Sequence, residues 1–267
     1  MLARIWQRKI SKLTGAIFSL FCLSTFCNND FVAIAQPKYS RYGLGAEIRQ
    51  TGSLHALPTY CVVAIAPEDG GRTISENPSI YIYLLKRHEN YNASLHVLGL
   101  NFRISADKDF SSRRVLNEKV RNLQLNAGFY KITLPIVKPP VLNGKVQYWT
   151  TFVIDSGRMW SDYARTYIQR ETDANLLREI RGVKTLLEQA QIYAKYYYWY
   201  DAFDAYSQWL EANPNDFIAR RDRKKMLQEN LLHDKCDDYY RFTPSTKKLW
   251  ELIEANPAKE IKLLPRK

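Results

Sequence analysis

The apolar pattern of this chain changes period once, near Thr172, and the change divides it into a strand-forming part and a helix-forming part. Upstream, apolar and aromatic residues come in short runs broken by turn signals. The run at 60–66 stops at Pro67 and is followed by the turn sequence Glu68-Asp69-Gly70-Gly71. Residues 79–85 alternate aliphatic with aromatic side chains, and further runs cover 95–104, 115–123, 129–135, 147–154 and 162–170. Asn143-Gly144 is a strong turn dipeptide. Short runs so divided predict strands whose alternating faces bury one side of each sheet. Downstream, Leu176, Leu177, Ile180, Val183, Leu186, Leu187, Ala190 and Tyr193 recur at three- and four-residue steps. That spacing lines one face of a helix. The expected class is α+β: an antiparallel β-sandwich over 58–171, immunoglobulin-like in its strand number, and then helices over 172–230.

Within the helical part, Gly182 reads as a break between a short helix and a longer one. A second long helix is expected over 199–212, where Asp201 in the first turn suits the positive end of the helix dipole. Asn213-Pro214 ends it, because Asn tolerates a left-handed cap and Pro cannot continue. Another helix starts near Asp216, and the tail over 231–267 has room for a short one. The spacing Ala190-x2-Tyr193-x8-Ala202-x3-Tyr206-x7-Pro214 resembles the tetratricopeptide repeat, in which small residues let two antiparallel helices approach and aromatics fill the gap. Trp209 stands where that family usually has a small residue. A lone repeat is too small to be stable, so this hairpin is expected to pack on the β part. Glu211-Ala212-Asn213-Pro214 recurs as Glu254-Ala255-Asn256-Pro257, which reads as a reused helix stop.

The first 35 residues have a different character. Arg4, Arg8, Lys9 and Lys12 precede an apolar run over 13–26, no acid occurs before Asp30, and Ala33 and Ala35 form the small-x-small pair that signal peptidase accepts. Basic start, apolar centre and small-residue exit are the three parts of a secretory signal. The alternative is an uncleaved anchor, but Asn28, Asn29 and Asp30 would be costly inside a spanning helix. Cleavage after Ala35 is therefore expected, followed by an extended linker over 36–57 that carries Pro37, Gly43, Gly45 and Gly52. The chain is then exported, to the periplasm or beyond the cell. Its net charge falls from +12 to +9, since residues 1–35 take away four of 39 bases and one of 27 acids. An exported basic protein meets anionic lipid, cell-wall polymer or polysaccharide, and not nucleic acid. Cys61 and Cys236 remain after cleavage; they either pair as a disulfide or leave Cys61 simply buried in a strand.

Several segments together resemble the cyanobacterial domain-of-unknown-function family 928. They are Val63-Ala64-Ile65-Ala66-Pro67, Tyr81-Ile82-Tyr83-Leu84, Tyr148-Trp149-Thr150-Thr151-Phe152, Ser161-Asp162, and Trp199-Tyr200-Asp201-Ala202-Phe203 leading to Asn213-Pro214-Asn215-Asp216. The resemblance runs from about Cys61 to about Gln228, and the common order of the five segments adds weight. It implies a secreted β domain with a helical C-terminal part and brings no catalytic residues with it. Asp155 stands near where relatives often carry a cysteine.

Motifs that would carry chemistry are missing from the sequence. His88 lacks the second histidine four residues on that a zinc-protease helix needs, and His55, His96 and His233 are scattered. No Gly-x-Ser-x-Gly elbow occurs, and Gly70-Gly71-Arg72-Thr73 is too short to cradle a phosphate and reads as a hairpin turn. Glu68, Asp69, Asp107 and Asp109 read as solvated turn acids and not as a glycosidase pair. Neither a cofactor nor a metal is expected. Tyr196, Trp199, Tyr200, Phe203 and Trp209 form an aromatic run that offers a candidate interaction surface; the competing reading has these rings sealing the hairpin onto the β part. Arg220-Arg221-Asp222-Arg223-Lys224-Lys225 either touches an anionic membrane surface or is a solvated face. The expected function is a non-catalytic module that binds an envelope protein, with a glycan or cell-wall binder as the alternative. An uncharacterised hydrolase is the third class, which a cleft with converging acids would revive. N-terminal sequencing of the protein from an envelope fraction should read from Gln36, and an intact Met1 in a cytosolic extract would overturn the export reading.

Overall fold

The computed structural model describes residues 41–44, 60–67, 69–86, 97–105, 114–123, 125–134, 142, 147–155, 161–230 and 246–263, all within one compact unit, Tyr39–Lys267. The expected signal with Ala33 and Ala35, the Asn143-Gly144 turn, all four histidines and Cys236 lie outside the described residues.

The described strands are β1 (Tyr60–Ala64), β2 (Gly71–Thr73), β3 (Ser79–Lys86), β4 (Val97–Ser105), β5 (Arg114–Leu123), β6 (Gly128–Thr133), β7 (Gln147–Asp155), β8 (Ser161–Arg170) and β9 (Lys259–Lys262). They form a four-stranded sheet in the order β1-β3-β6-β9 and a five-stranded sheet in the order β2-β8-β7-β4-β5. Every strand run expected from the sequence is present, with ends displaced by a residue or two.

Two edge strands depart from the antiparallel expectation. β2 pairs parallel with β8, Gly71 opposite Ile168, and β9 pairs parallel with β6, Ile261 opposite Ile132. The Gly70–Thr73 stretch is thus a turn only at its start. Gly70 adopts φ +88° and donates its N–H to the Pro67 carbonyl at 2.9 Å, after which the chain runs straight along β8. Gly71 is a close-approach glycine, since a Cβ there would lie 3.0 Å from both the Trp199 Cβ and the Tyr200 ring.

The helices are α1 (Ala174–Arg181), α2 (Leu186–Lys195), α3 (Trp199–Ala212), α4 (Phe217–Asn230) and α5 (Thr246–Ala255). None of the described helices is long and apolar enough to cross a membrane. Their ends follow from local side-chain chemistry. Asp173 accepts from the N–H groups of Asn175 and Leu176, and Thr185 with Glu188 makes a reciprocal capping box, which together isolate α1 from α2 at Gly182. Asn213 at the end of α3 and Asn256 at the end of α5 each turn a side-chain amide back to the carbonyl four residues earlier, at 3.1 Å in both cases. The repeated Glu-Ala-Asn-Pro sequence is therefore the same stop used twice.

An aromatic column joins the elements. The Trp199 ring stacks on Phe203 at 5.6 Å and meets Tyr42 edge-on at 5.5 Å. Phe203 meets Tyr81 of β3 edge-on at 5.0 Å, and Tyr81 stacks on Phe129 of β6 at 5.3 Å. Trp199 is fully buried, and its indole N–H donates to the Ile65 carbonyl at 3.2 Å. Tyr42 belongs to the segment read from sequence as a linker, yet it is part of this core.

α4 is fastened to α5 by an ion pair. Arg223 Nε lies 2.9 Å from Glu254 Oε1, with the two side chains 7% and 9% exposed, and Arg223 also donates to the Ser207 hydroxyl at 3.3 Å. Removing one partner strands the other charge in a site that water barely reaches. Arg223→Ala should lower the stability to urea by about 3–5 kcal/mol, and the pair Arg223→Met with Glu254→Leu should recover most of the loss. Equal losses in the single and double variants would show that the ion pair itself carries no such cost.

A polar cleft beside the helical pair

The sides of α2 and α3 that face the loop after β2 enclose a cleft of about 400 Å³. On α3, Asp201, Asp204 and Gln208 follow one another at three- and four-residue steps and so share a face. On α2, Gln189 and Tyr193 do the same. The opposite wall is the 74–79 loop, and Leu186 stands at the exposed rim.

Asp201 ties this wall to the helix. It accepts from the Thr73 hydroxyl at 3.2 Å through Oδ1 and from the Ile74 N–H at 3.0 Å through Oδ2. Thr73 Oγ1 in turn accepts from the Ser75 N–H, and Ser75 Oγ from the Asn77 N–H, so the loop is ordered as consecutive side-chain-to-backbone turns. Burial pushes the Asp201 carboxyl up to about 7, against the pull of the hydrogen bonds it accepts; the charge of Asp204 adds to the rise.

Asp204 has different surroundings. Its Oδ1 accepts from the Tyr81 hydroxyl and lies next to Lys131 Nζ, each at 2.7 Å, and its Oδ2 accepts from Gln208 Nε2 at 2.8 Å. Burial, then the neighbouring Asp204, holds the Tyr81 phenol well above its usual range. Tyr193 is pushed up to about 12 by burial and by the charge of Asp201. Both phenols are neutral proton donors throughout the physiological range.

The aromatic run expected to form a surface is mostly interior. Trp199, Tyr200 and Phe203 are buried, and the Tyr200 hydroxyl donates to the Tyr167 carbonyl at 2.9 Å, leaving only an edge of Tyr200 in the cleft. This corrects the expected surface. On a helix packed against sheet edges, the aromatic face is the inward one. Tyr196 and Trp209 stay partly exposed but are engaged: Tyr196 donates to Glu179 at 2.7 Å, and the Trp209 indole donates to Asp216 at 2.8 Å. The basic run is also largely engaged. Arg221 pairs with Asp222, Arg223 with Glu254, and Lys224 lies 3.9 Å from the centre of the Trp250 ring. Arg220 donates to the carbonyls of Pro214 and Glu254.

Cys61 sits in β1 opposite Leu85, and its pairing with Cys236 falls outside the described residues. Among the described residues, no three His, Cys, Asp or Glu side chains gather as a metal site. In the sequence Asp201 reads as a first-turn acid that suits the helix dipole and as part of the family-like segment 199–203, and Gln189 and Gln208 carry no motif. The available signal was the polar stripe they make on two amphipathic helices, but the partner wall comes from a loop more than a hundred residues upstream.

A family model described as Domain of Unknown Function (DUF928) matches residues 46–237, a span that includes the whole cleft. No curated protein matches the chain.

A carboxyl whose folded pKa lies near 7, against about 3.9 unfolded, holds its proton more tightly in the folded state. Its contribution to stability therefore falls as pH rises from about 4 to about 7 and is level above that. Asp201→Asn can keep both hydrogen bonds, with Oδ1 accepting from Ile74 and Nδ2 donating to Thr73. The Tm of the wild type, measured relative to Asp201→Asn, should decline across that window. A difference independent of pH would show that Asp201 titrates as in the unfolded chain.

Proposed function

The chain belongs to the DUF928 family of unknown function, and from that premise we propose that it is an exported, non-catalytic binding module that engages an envelope component through the cleft between α2, α3 and the 74–79 loop. The observation that carries this reading is the cleft itself. Its volume lies within the range of about 300–1,000 Å³ common to small-molecule sites, and amides, hydroxyls, two tyrosines and two carboxylates line it. Export rests on the pattern of residues 1–35.

Two converging carboxylates invite the hydrolase reading, and their surroundings argue against it. A glycosidase pair needs one carboxylate free to act as nucleophile or base. Asp204 has both oxygens engaged by Tyr81, Lys131 and Gln208, and Asp201 has both engaged by Thr73 and Ile74. With Asp204 held by a cation, a phenol and an amide, the pair has no second carboxylate left for that role.

The finer fold reading belongs to the same proposal. Ala190 of α2 and Ala202 of α3 are fully buried, which supports a tetratricopeptide-like approach of the two helices. The two sheets are read as an immunoglobulin-like sandwich. Peripheral contact with an anionic membrane is the weaker partner reading: Phe217 is 72% exposed and Ile218 follows it, but most neighbouring cations already have partners within the fold.

Affinity capture from the protein's own envelope fraction tests the module reading. A Gln189→Ala, Tyr193→Ala double variant should lose the captured component while keeping the circular dichroism spectrum of the wild type. An unchanged set of captured components would overturn it.

A further inference from the structure

The charge in the cleft is opposite to that of the chain. The protein carries 39 Lys and Arg, yet none of the residues lining the cleft is a Lys or Arg, and two of them are Asp. Lys131 lies against Asp204. No cation among the described residues pairs with Asp201, which is held by a hydroxyl and a backbone N–H. An anionic ligand is repelled from such a place, and a carboxylate out of bulk water is better off beside a positive charge.

A carboxylate has about four acceptor positions, so Asp201 can still accept from a ligand after its contacts to Thr73 and Ile74. The rest of the lining narrows the kind of cation. Gln189, Gln208 and Ser75 carry neutral donors and acceptors, and Tyr193 adds an aromatic side chain at the α2 wall. A lysine side chain brings four methylenes and one polar tip, which matches few of these amides and hydroxyls. A sugar ring has hydroxyls around its edge and an apolar face for an aromatic ring, and so fits the lining on both counts.

Building on the module reading, we propose that the cleft binds an amino-sugar unit of a glycan: Asp201 takes the protonated amine, Gln189 and Gln208 take ring hydroxyls, and the sugar face lies against Tyr193. Since burial holds the Asp201 carboxyl near 7, an arriving ammonium drives off the proton it carries at slightly acid pH. Around it, Asp204 is paired with Lys131, and Tyr193 and Tyr198 ionise far above this range.

Titration calorimetry on the full chain near pH 6.5 decides the matter, using a β-linked glucosamine tetramer, its N-acetylated counterpart and tetralysine as probes. The glucosamine tetramer should bind with release of protons, read from the dependence of the heat on buffer. The acetylated tetramer should bind roughly tenfold more weakly or worse, as loss of a charged hydrogen bond implies. Asp201→Asn should abolish the proton release and lower affinity by a similar factor. Gln189→Lys, which adds a cation at a partly exposed helix position, should do the same to affinity without touching Asp201.

Equal binding of both tetramers, or indifference to both variants, overturns the proposal. Tetralysine binding as tightly as the glycan assigns the cleft to a peptide amine and overturns it as well. If neither glycan binds while envelope capture still depends on Gln189 and Tyr193, the amino-sugar inference falls and the module reading stands. If capture is also independent of them, both fall.

Discussion

The packing of Trp199 and Phe203 sets the position of nearly everything else. These neighbours on one helical face stack on each other, and between them they reach Tyr42, the Ile65 carbonyl, and Tyr81 on β3. Large rings of this kind account for a dominant share of burial energy, and truncating one in a core typically costs about 3–5 kcal/mol. The column also explains the tolerance at Gly71, where β2 passes against Trp199 and Tyr200 with no room for a side chain. With α3 fixed on that side, its other face is presented outward at a set distance from the 74–79 loop. The cleft is therefore a by-product of core packing: the buried rings choose the rotation of the helix, and that rotation decides which polar residues meet the loop.

Two aspartates one turn apart then do different work. Asp204 is drawn into the β6 side by Lys131 and Tyr81 and adds a polar fastening to the aromatic one. Asp201 fastens the loop instead, through one hydroxyl and one backbone N–H, at the expense of a carboxyl poorly matched to its surroundings. Membership of the DUF928 family names no role for either. The reading of the cleft as a binding site rests on its size and polar lining, to which both belong.

Much of the architecture was legible in the sequence because it is written in local periodicity and local caps. The change of period near Thr172, the break at Gly182 and the Asn-Pro stops each act within a few residues, and each lies where the pattern puts it. β2 and β9 were not legible. Three and four residues are too few to show an alternation, and their parallel pairing is set by edges that distant elements leave open. The choice between an exposed and a sealing aromatic run was not legible for a similar reason. An aromatic run looks the same whether it faces solvent or a sheet, and only the position of β2, β3 and Tyr42 settles that Trp199, Tyr200 and Phe203 point inward. Asp201 had the weakest signal of all, since its partners Thr73 and Ile74 are 128 and 127 residues away.

The turn between α2 and α3 places Tyr197 at φ +63°, a left-handed conformation that a tyrosine adopts at some cost. Arg41 donates to its hydroxyl at 2.8 Å and lies against its ring, Tyr42 packs edge-on to it, and the Tyr42 N–H donates to Asn230 at 3.4 Å. The contacts that relieve this turn thus come from the opposite end of the fold, across 156 and 188 residues of chain. Loops so long close slowly, because their entropy is lost before any contact repays it. The part of the compact unit made first therefore finds these partners only after α4 has been made.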